Sequence, residues 1–546
     1  MVKPFLDQVN GRVTDDVNLF TGGLNTYVDK AFIEANQLPF CMNMAMQQPP
    51  CMQTRPFRQT LAEYFPNKKY PGGERDIKEL YVDTRLGTFA IIREHDDVLD
   101  EDIGVLYRYN LENGTIDRLQ EIGLLRDNYY FCHCWQATTH YLYVMTNYEK
   151  YKLEFTGATI DSITPITDGY YGIPEFHKGR LFLADPSTNI VTFSALYDFD
   201  NFDQTPTVPP DYSVIAGDFK ITDGIGHIVG TKSFDDKLYI FCESSIHLLY
   251  GNTPDPSLSG FFQLVDLNNG IGAYSNRCIA VGGNRLFFLG SDHQVYEHTG
   301  SSLYMISRPI TEHGGGIDNI FNRTYLGNYP QMCAGNSKLY LNVPSNWTDT
   351  GMNEILFVYD IYNKIWWAED GQFTSIAMDV MGSDVNQVFM ALPTGDIVNE
   401  TDVGIGGTVD YLYSFAEEEI YGAQIRYAFQ TRVYGIDGVD MRKTVSDVWF
   451  QATANAEVYL GELWTVDHHW DRLPWTDDHL DDYIKIGEIK QQAETSNEIR
   501  YTTDTSEQQR CIIPKMFGQR VNGFSVLVTG LGNSKFYLMK RNWRVS

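Results

Sequence analysis

Cationic side chains are scarce in this sequence: 42 Lys and Arg stand against 71 Asp and Glu in 546 residues, a formal charge of −29. So anionic a chain repels a polyphosphate instead of condensing on it, which excludes DNA wrapping, although an acidic wall lets a polyanion pass without sticking. Cysteine is sparse as well. Its eight copies are scattered without paired spacing, the pattern of reduced core thiols in a protein made in a cytoplasm, and no disulfide framework is implied. No run of eighteen apolar residues occurs, and residues 1–8 hold no apolar signal core. The sequence therefore predicts no membrane segment and no export by the usual route, so work outside a cell implies release in an assembly or by lysis. Long amphipathic helical patterns are also few: residues 25–37 and 417–426 are the helix candidates.

What the chain has is aromatic residues, 14% of the total with 35 Tyr and 31 Phe, which suit the pleated, half-buried surfaces of strands. One phrase recurs: a polar turn, then Leu with aromatic or β-branched residues. It reads Lys178-Gly179-Arg180-Leu181-Phe182-Leu183, Asp236-Lys237-Leu238-Tyr239-Ile240-Phe241, Gly283-Asn284-Arg285-Leu286-Phe287-Phe288 and Asn336-Ser337-Lys338-Leu339-Tyr340-Leu341. Weaker copies are Leu80-Tyr81-Val82, Leu142-Tyr143-Val144 and Val388-Phe389-Met390. Steps of roughly 40 to roughly 60 residues are the spacing of propeller blades, and a hydrophobic strand at that spacing buries both faces only when its units stack around an axis. The expected fold is all-β, a β-propeller of six or seven irregular blades with an additional antiparallel β-sandwich.

Three regions are expected. Residues 1–60, rich in Met, Gln, Pro and Asn, read as an extended arm or a blade closure, with Gln47-Gln48-Pro49-Pro50 and Arg55-Pro56 breaking regular structure. Residues 61–405 carry the strand phrases and form the propeller. Phe357-Val358-Tyr359-Asp360 followed by Trp366-Trp367 reads as a strand, a turn and a tryptophan return strand, similar to a kelch-type blade ending. Residues 425–546 alternate at period two in Tyr427-Ala428-Phe429-Gln430, Ala456-Glu457-Val458-Tyr459-Leu460 and Gly523-Phe524-Ser525-Val526-Leu527-Val528, the sign of antiparallel strands buried on one face. A long acidic, Trp-rich loop at 464–483 interrupts them.

Candidate chemistry is thin. Cys132-His133-Cys134 puts two thiols on one side of a strand, but no second ligand pair lies at zinc spacing, so buried thiols are expected. The Asp467-His468-His469, Asp477-Asp478-His479 and Asp481-Asp482 cluster offers carboxylates to a hard cation yet matches no calcium loop, which leaves a solvated acidic loop as the reading. Propellers host glycosidases, but no Ser-x-Asp-x-Gly-x-Thr-Trp box, Gly-x-Ser-x-Gly elbow or His-Glu-x-x-His motif is present, so no enzyme and no cofactor is expected. Gly270-Ile271-Gly272-Ala273 and Gly314-Gly315-Gly316 lack the context of a phosphate cradle and read as turns. Lys540-Arg541-Asn542-Trp543-Arg544 reads as a solvated strand end, with an acidic neighbour subunit or a nucleic acid as the other possibility.

With arm, propeller and sandwich in this order, the chain resembles the tail nozzle family of short-tailed bacteriophages, also called tail tubular protein B or packaged-DNA stabilisation protein. Gly22-Gly23-Leu24-Asn25, Gln37, Asn43 and Thr54-Arg55-Pro56 are similar to the opening of such proteins. Arg180-Leu181-Phe182-Leu183, Thr192-Phe193-Ser194, Asp198-Phe199-Asp200-Asn201-Phe202 and residues 241–251 resemble one of their blades, and Asn269-Gly270-Ile271-Gly272-Ala273-Tyr274-Ser275 with Arg285-Leu286-Phe287-Phe288-Leu289-Gly290 the next. The resemblance implies a structural virion protein assembled in the host cytoplasm into a hexameric ring at the tip of the virion tail. Its partners would be a tail adaptor or portal-proximal ring, needle, fibre or spike proteins, and viral DNA passing without sequence-specific contact. Asn25, Asn43 and Arg55 are then candidate interaction residues of the arm, with Asp477 and Asp478 in the loop. Trp464, Trp470 and Trp475 are candidates for stacking on sugar rings, which keeps open a second reading: a glycan-binding or glycan-degrading propeller acting as receptor-binding protein or depolymerase.

Overall fold

The computed structural model describes residues 5–7, 12–17, 20–27, 32–48, 51–62, 77–96, 100–110, 115–205, 211–310, 330–335, 337–347, 352–371, 373–379, 388–392, 397–401, 410–412, 420–423, 425–434, 443–462, 483–489, 510–512, 520–521, 523–532 and 534–545. Seven antiparallel four-stranded units form the blades of a β-propeller. Blade 1 comprises Ile77–Asp83, Gly87–Asp96, Glu101–Asn110 and Thr115–Leu124; blade 2, Tyr130–Gln136, Thr139–Met145, Lys150–Thr156 and Thr159–Pro165; blade 3, Ile173–His177, Arg180–Asp185, Ile190–Phe193 and Gly217–Lys220. Blade 4 comprises Ile228–Phe234, Lys237–Cys242, Ser245–Tyr250 and Gln263–Asn269; blade 5, Ile279–Gly282, Arg285–Leu289, Val295–His298 and Leu303–Met305; blade 6, Gln331–Ala334, Lys338–Trp347, Met352–Asp360 and Ile365–Asp370. Blade 7 takes three strands from Ser375–Met378, Val388–Ala391 and Ile397–Thr401, and its outer strand, Phe57–Ala62, comes from the N-terminal region. That borrowed strand runs from Thr401↔Phe57 to Ile397↔Ala62 and closes the ring. The first strand of a blade lies against the first strands of its neighbours, so the axis runs along these innermost strands.

The repeated phrase maps onto the hairpin between the first and second strands. Its turns need left-handed backbone, met by Lys178 (φ 47°) with Gly179 (φ 75°), by Asp235 and Asp236 (φ 49° and 64°), and by Gly283 and Asn284 (φ 57° and 56°). Asn, Asp and Gly tolerate that region, and the twist of such turns matches that of the strands they join. The second strand that follows is buried on both faces, as in Leu181–Ala184, Leu238–Cys242 and Leu286–Leu289, because a blade packs on each side of it. In blade 1 the phrase Leu80-Tyr81-Val82 falls on the first strand instead; the second strand there is Gly87–Asp96. Phe357 to Asp360 and Trp366-Trp367 form the outer hairpin of blade 6.

The sandwich's first sheet runs Phe40–Met42, Arg426–Gln430, Phe524–Leu531, Ala456–Glu462 and Ile484–Ile489. The second contains Phe5–Asp7, Arg12–Val17, Lys535–Val545, Lys443–Thr453 and Arg510–Ile512, with Arg520–Val521, Cys51–Thr54 and Met44–Gln48 joined at its sides. Phe536 from the second sheet meets Phe429 from the first edge-on at 5.0 Å, and Phe450 and Tyr427 at 6.0 Å, the geometry aromatic quadrupoles favour.

The two units are joined by a shared sheet. Met42 pairs with Ala368 of blade 6 in parallel and with Ala428 of the sandwich antiparallel, so one nine-stranded sheet runs from the axis of the propeller to the far edge of the sandwich. A single apolar cluster follows it, from Phe287 and Leu341 through Trp367 and Met42 to Phe429 and Val528. The N-terminal region is thus divided between three places: the second sheet of the sandwich, the junction strand and the closure of blade 7.

Two expectations are corrected. The described part of residues 25–37 is not helical; Gly23–Leu24 and Gln37–Leu38 form a short parallel pair there. Ile420–Ala423 is a strand paired with Asp410–Leu412, and Arg426 opens another strand; Tyr421 favours a pleated surface, and the acidic run 417–419 lies outside the described residues. Residues 540–544 fall within the strand Lys535–Val545. It lies between Arg12–Val17 and Lys443–Thr453, and register places Lys540 and Arg541 opposite Asp16 and Asp15.

Candidate functional site

The innermost strands bring charged side chains to the propeller axis. Arg277, on the turn entering blade 5, reaches blade 1: its guanidinium lies 2.9 Å from Glu79 and its Nη2 donates to the Lys78 carbonyl at 2.7 Å. Blades 1 and 5 are as far apart as a ring of seven allows, so this ion pair spans the axis. Burial pushes the Glu79 carboxyl above its ordinary value while Arg277 pulls it back. Lys232 and Glu175 pair at 3.3 Å between blades 4 and 3, and Glu175 also accepts the Ser233 N–H at 2.9 Å. The Arg277 bridge thus crosses the axis, whereas the Lys232 pair ties two neighbouring blades together.

Towards the hairpin-turn end, Asp83, Arg85, His133 and His140 form a chain. His133 Nδ1 lies 3.2 Å from Asp83 and 3.0 Å from Arg85, and its Nε2 lies 3.0 Å from His140 Nδ1. Burial alone would raise the Asp83 carboxyl, but hydrogen bonds from His133 and Arg85 outweigh it and hold the group well below the usual carboxylate range. Burial, with His133 next to it, lowers His140. Cys132 and Cys134 point the other way, their sulfurs 4.0 Å apart in a core shared with Leu181 and Leu183 of blade 3. Burial pushes the Cys134 thiol well up, so these are packed thiols. Among the described residues no group of three His, Cys, Asp or Glu side chains is placed to hold a metal.

His177 yields a pH prediction. It is 3% exposed, bonded through Nδ1 to Ser233 at 2.8 Å, with Nε2 buried and unbonded. Burial, aided by Lys178, lowers it from 6.5 to about 4. The unfolded chain therefore binds the extra proton first as pH falls, so the stabilisation is complete above about 6.5 and is lost on the way to 4, about 2–3 kcal/mol between pH 7.5 and 4.5. Urea midpoints at those two pH values should converge by that amount in His177→Asn relative to the parent chain; equal shifts in both would refute the assignment.

The arm residues read from the sequence are internal fasteners. Asn43 (φ 59°) and Arg55 are wholly or almost wholly buried at the junction of blade 6 and the sandwich. Asn43 Nδ2 donates to the Arg426 carbonyl at 2.7 Å, and its Oδ1 accepts the Asp370 N–H at 2.9 Å and Arg55 Nε at 3.2 Å. Arg55 pairs with Asp370 at 3.3 Å. Asn25 lies elsewhere, just after the first short parallel strand, donating to Gln37 of the second at 2.8 Å. Trp464, Trp470, Trp475, Asp477 and Asp478 lie outside the described residues.

The sequence did not single out a cleft between the loops of blades 2, 3 and 4, on the end opposite the hairpin turns. It measures about 480 Å³ and is walled by Asn147, Tyr148, Asp185, His227 and Glu243 over an apolar floor that includes Ile228. Polar residues in four separate loops, at 147–148, 185–187, 227 and 243, carry no local spacing that would announce it.

No family model matches the chain, and no curated protein does. Among solved structures it is similar to the β-propeller domain of the Trilobed protease from Pyrococcus furiosus, at 10% identity over 60% of this chain and 94% of that one, TM-score 0.34. YCF48 bound to D1 peptide matches at 10% identity over 66% and 98%, TM-score 0.35. BamB from Moraxella catarrhalis matches at 8% over 65% and 99%, TM-score 0.34. The propeller itself is established by the seven sheets described above.

Proposed function

We propose that this chain is a structural virion protein of a bacteriophage: a subunit of the distal nozzle ring of the tail, lining a DNA exit channel and carrying needle, fibre or spike proteins. The observation that supports it most is the shared nine-stranded sheet, which joins propeller and sandwich through one continuous ladder. A ring of such subunits is heterologous, and each subunit needs two different side surfaces, which a two-unit body supplies. Charge fits the same reading, since −29 per chain surrounds a passing genome with repulsive walls and few counterion-releasing contacts.

The crossing of each propeller axis by Arg277 and Glu79 has a consequence for the path. DNA would run between subunits, through a lumen faced by acidic side chains. Electron microscopy of the purified protein and of its parent particle tests the reading: rings of six at a tail tip are expected. Isolated subunits that turn over a glycan, or a lumen faced by Lys and Arg, would contradict it.

A further inference from the structure

The cleft between blades 2, 3 and 4 is built as a hydrogen-bond acceptor. Asp185 is fixed at its lip: its Oδ1 accepts the Ser187 N–H at 2.8 Å and the Ser187 hydroxyl at 2.7 Å, and its Oδ2 accepts Thr188 Oγ1 at 2.6 Å. These bonds outweigh the modest burial and lower its carboxyl, so the group is anionic throughout the neutral range. His227 is fixed too. Its Nδ1 lies 3.0 Å from the Pro186 carbonyl, and because a carbonyl only accepts, Nδ1 donates that bond. Asn189 donates to the Gly226 carbonyl at 3.0 Å and ties the same loop to blade 3. The walls are therefore held in place before any guest arrives, which lowers the entropic cost of binding.

Glu243 supplies the second charge. It lies against Gly226 (φ +86°), where a β-carbon would meet its Oε2 at 2.3 Å, so the glycine is what lets the carboxylate rest on the loop that walls the cleft. Its carboxylate has no hydrogen bond or ion pair among the described residues, although its backbone N–H is engaged by His227. Beneath these groups the floor is apolar, with Pro186, Ile228 and Val229. Tyr148 forms a wall, 64% exposed, and already carries a guanidinium: Arg126 lies over its ring at 4.7 Å and 3.6 Å from Glu149.

An apolar lining, a fixed carboxylate and an unengaged carboxylate select a guest with a methylene chain and a positively charged, donor-rich head. A neutral sugar would use the acceptors but leave both charges uncompensated, and an anion would be repelled. We propose that this cleft binds an alkyl guanidinium or alkyl ammonium group, with the methylenes on Pro186, Ile228 and Val229 and the N–H donors on Asp185 and Glu243. The inference stands apart from the ring reading, because it rests on the cleft alone.

The same head group can arrive on a small molecule or on a protein side chain, and titration calorimetry of the full chain at low salt separates the two. Agmatine and spermidine represent the free cation; a short Gly-Ser peptide with one central Arg represents the side chain; glucose is the neutral control. At least one cationic probe should bind in the millimolar range or tighter, with the affinity falling as salt rises, and glucose should not bind. Agmatine or spermidine tighter than the peptide assigns a free cation; the reverse assigns a partner's arginine. Glu243→Gln, an exposed substitution that leaves the loop bonds in place, should weaken the binding at least fivefold. Equal binding by Glu243→Gln, binding of glucose as tight as that of agmatine, or no binding of any cation at tens of millimolar would overturn the proposal.

Discussion

Glu369→Ala should cost the fold about 4 kcal/mol, read as a drop in the urea or thermal midpoint. Glu369 and Arg58 are 1% and 2% exposed and pair at 2.9 Å, and the other Glu369 oxygen accepts Trp367 Nε1 at 2.8 Å. Arg58 also donates to the Asp370 carbonyl and lies 4.9 Å over the Phe373 ring. It belongs to the strand that closes blade 7, whereas Glu369 ends the outer strand of blade 6, so the pair fastens the closure. Removing Glu369 takes the close carboxylate from a buried guanidinium, with Asp370 at 3.7 Å left as a more distant one, and leaves an indole N–H without an acceptor; loss of a buried partner costs about 3–5 kcal/mol. The double variant Arg58→Met with Glu369→Leu should recover most of the loss, because an apolar pair of similar volume carries no desolvation penalty. A loss below about 1 kcal/mol in the single variant would show that the closure does not depend on this pair.

Asn43→Ala should cost about 3 kcal/mol by the same measurement, and Asn43→Gly about 1 kcal/mol less. Asn43 turns the chain between the junction strand and the rest of the arm in left-handed backbone, φ 59°, which Asn tolerates and Ala resists by about 1–2 kcal/mol. Its side chain also satisfies the Arg426 carbonyl, the Asp370 N–H and Arg55 Nε, and losing it leaves buried groups unpaired at about 1–3 kcal/mol. Gly relieves the backbone cost but not the lost bonds. The order parent, Gly, Ala is therefore the signature; Ala equal to Gly would mean that the left-handed turn contributes nothing.

The parts of the fold that repeat were legible in the sequence, and the parts made by a single residue were not. The phrase at Lys178, Asp236 and Gly283 announced the propeller because turn chemistry and a doubly buried strand are both local. Blade 1 escaped it: Thr88-Phe89-Ala90-Ile91-Ile92 follows Gly87 (φ 116°) without the Leu-aromatic order. The junction was out of reach, since the pairing of Met42 with both Ala368 and Ala428 joins residues more than three hundred positions apart. Asn43 and Arg55 were picked out as contacts to something outside, and burial places them inside: a polar pair in an arm gives no local sign of whether the arm meets its own body or a neighbour. The axial bridge of Arg277 to Glu79 and the cleft at Asp185, His227 and Glu243 depend on loops of separate blades, and no periodicity connects them.

Cryo-electron microscopy of the assembled particle tests the central claim most directly, by showing where the axis of each subunit lies relative to the DNA. The predicted map has side-chain density bridging every propeller axis at Arg277 and Glu79, a propeller and sandwich that move as one body, and a single passage bounded by several subunits. Duplex density running through the axis of one propeller, or a sandwich hinged freely away from blade 6, would contradict it.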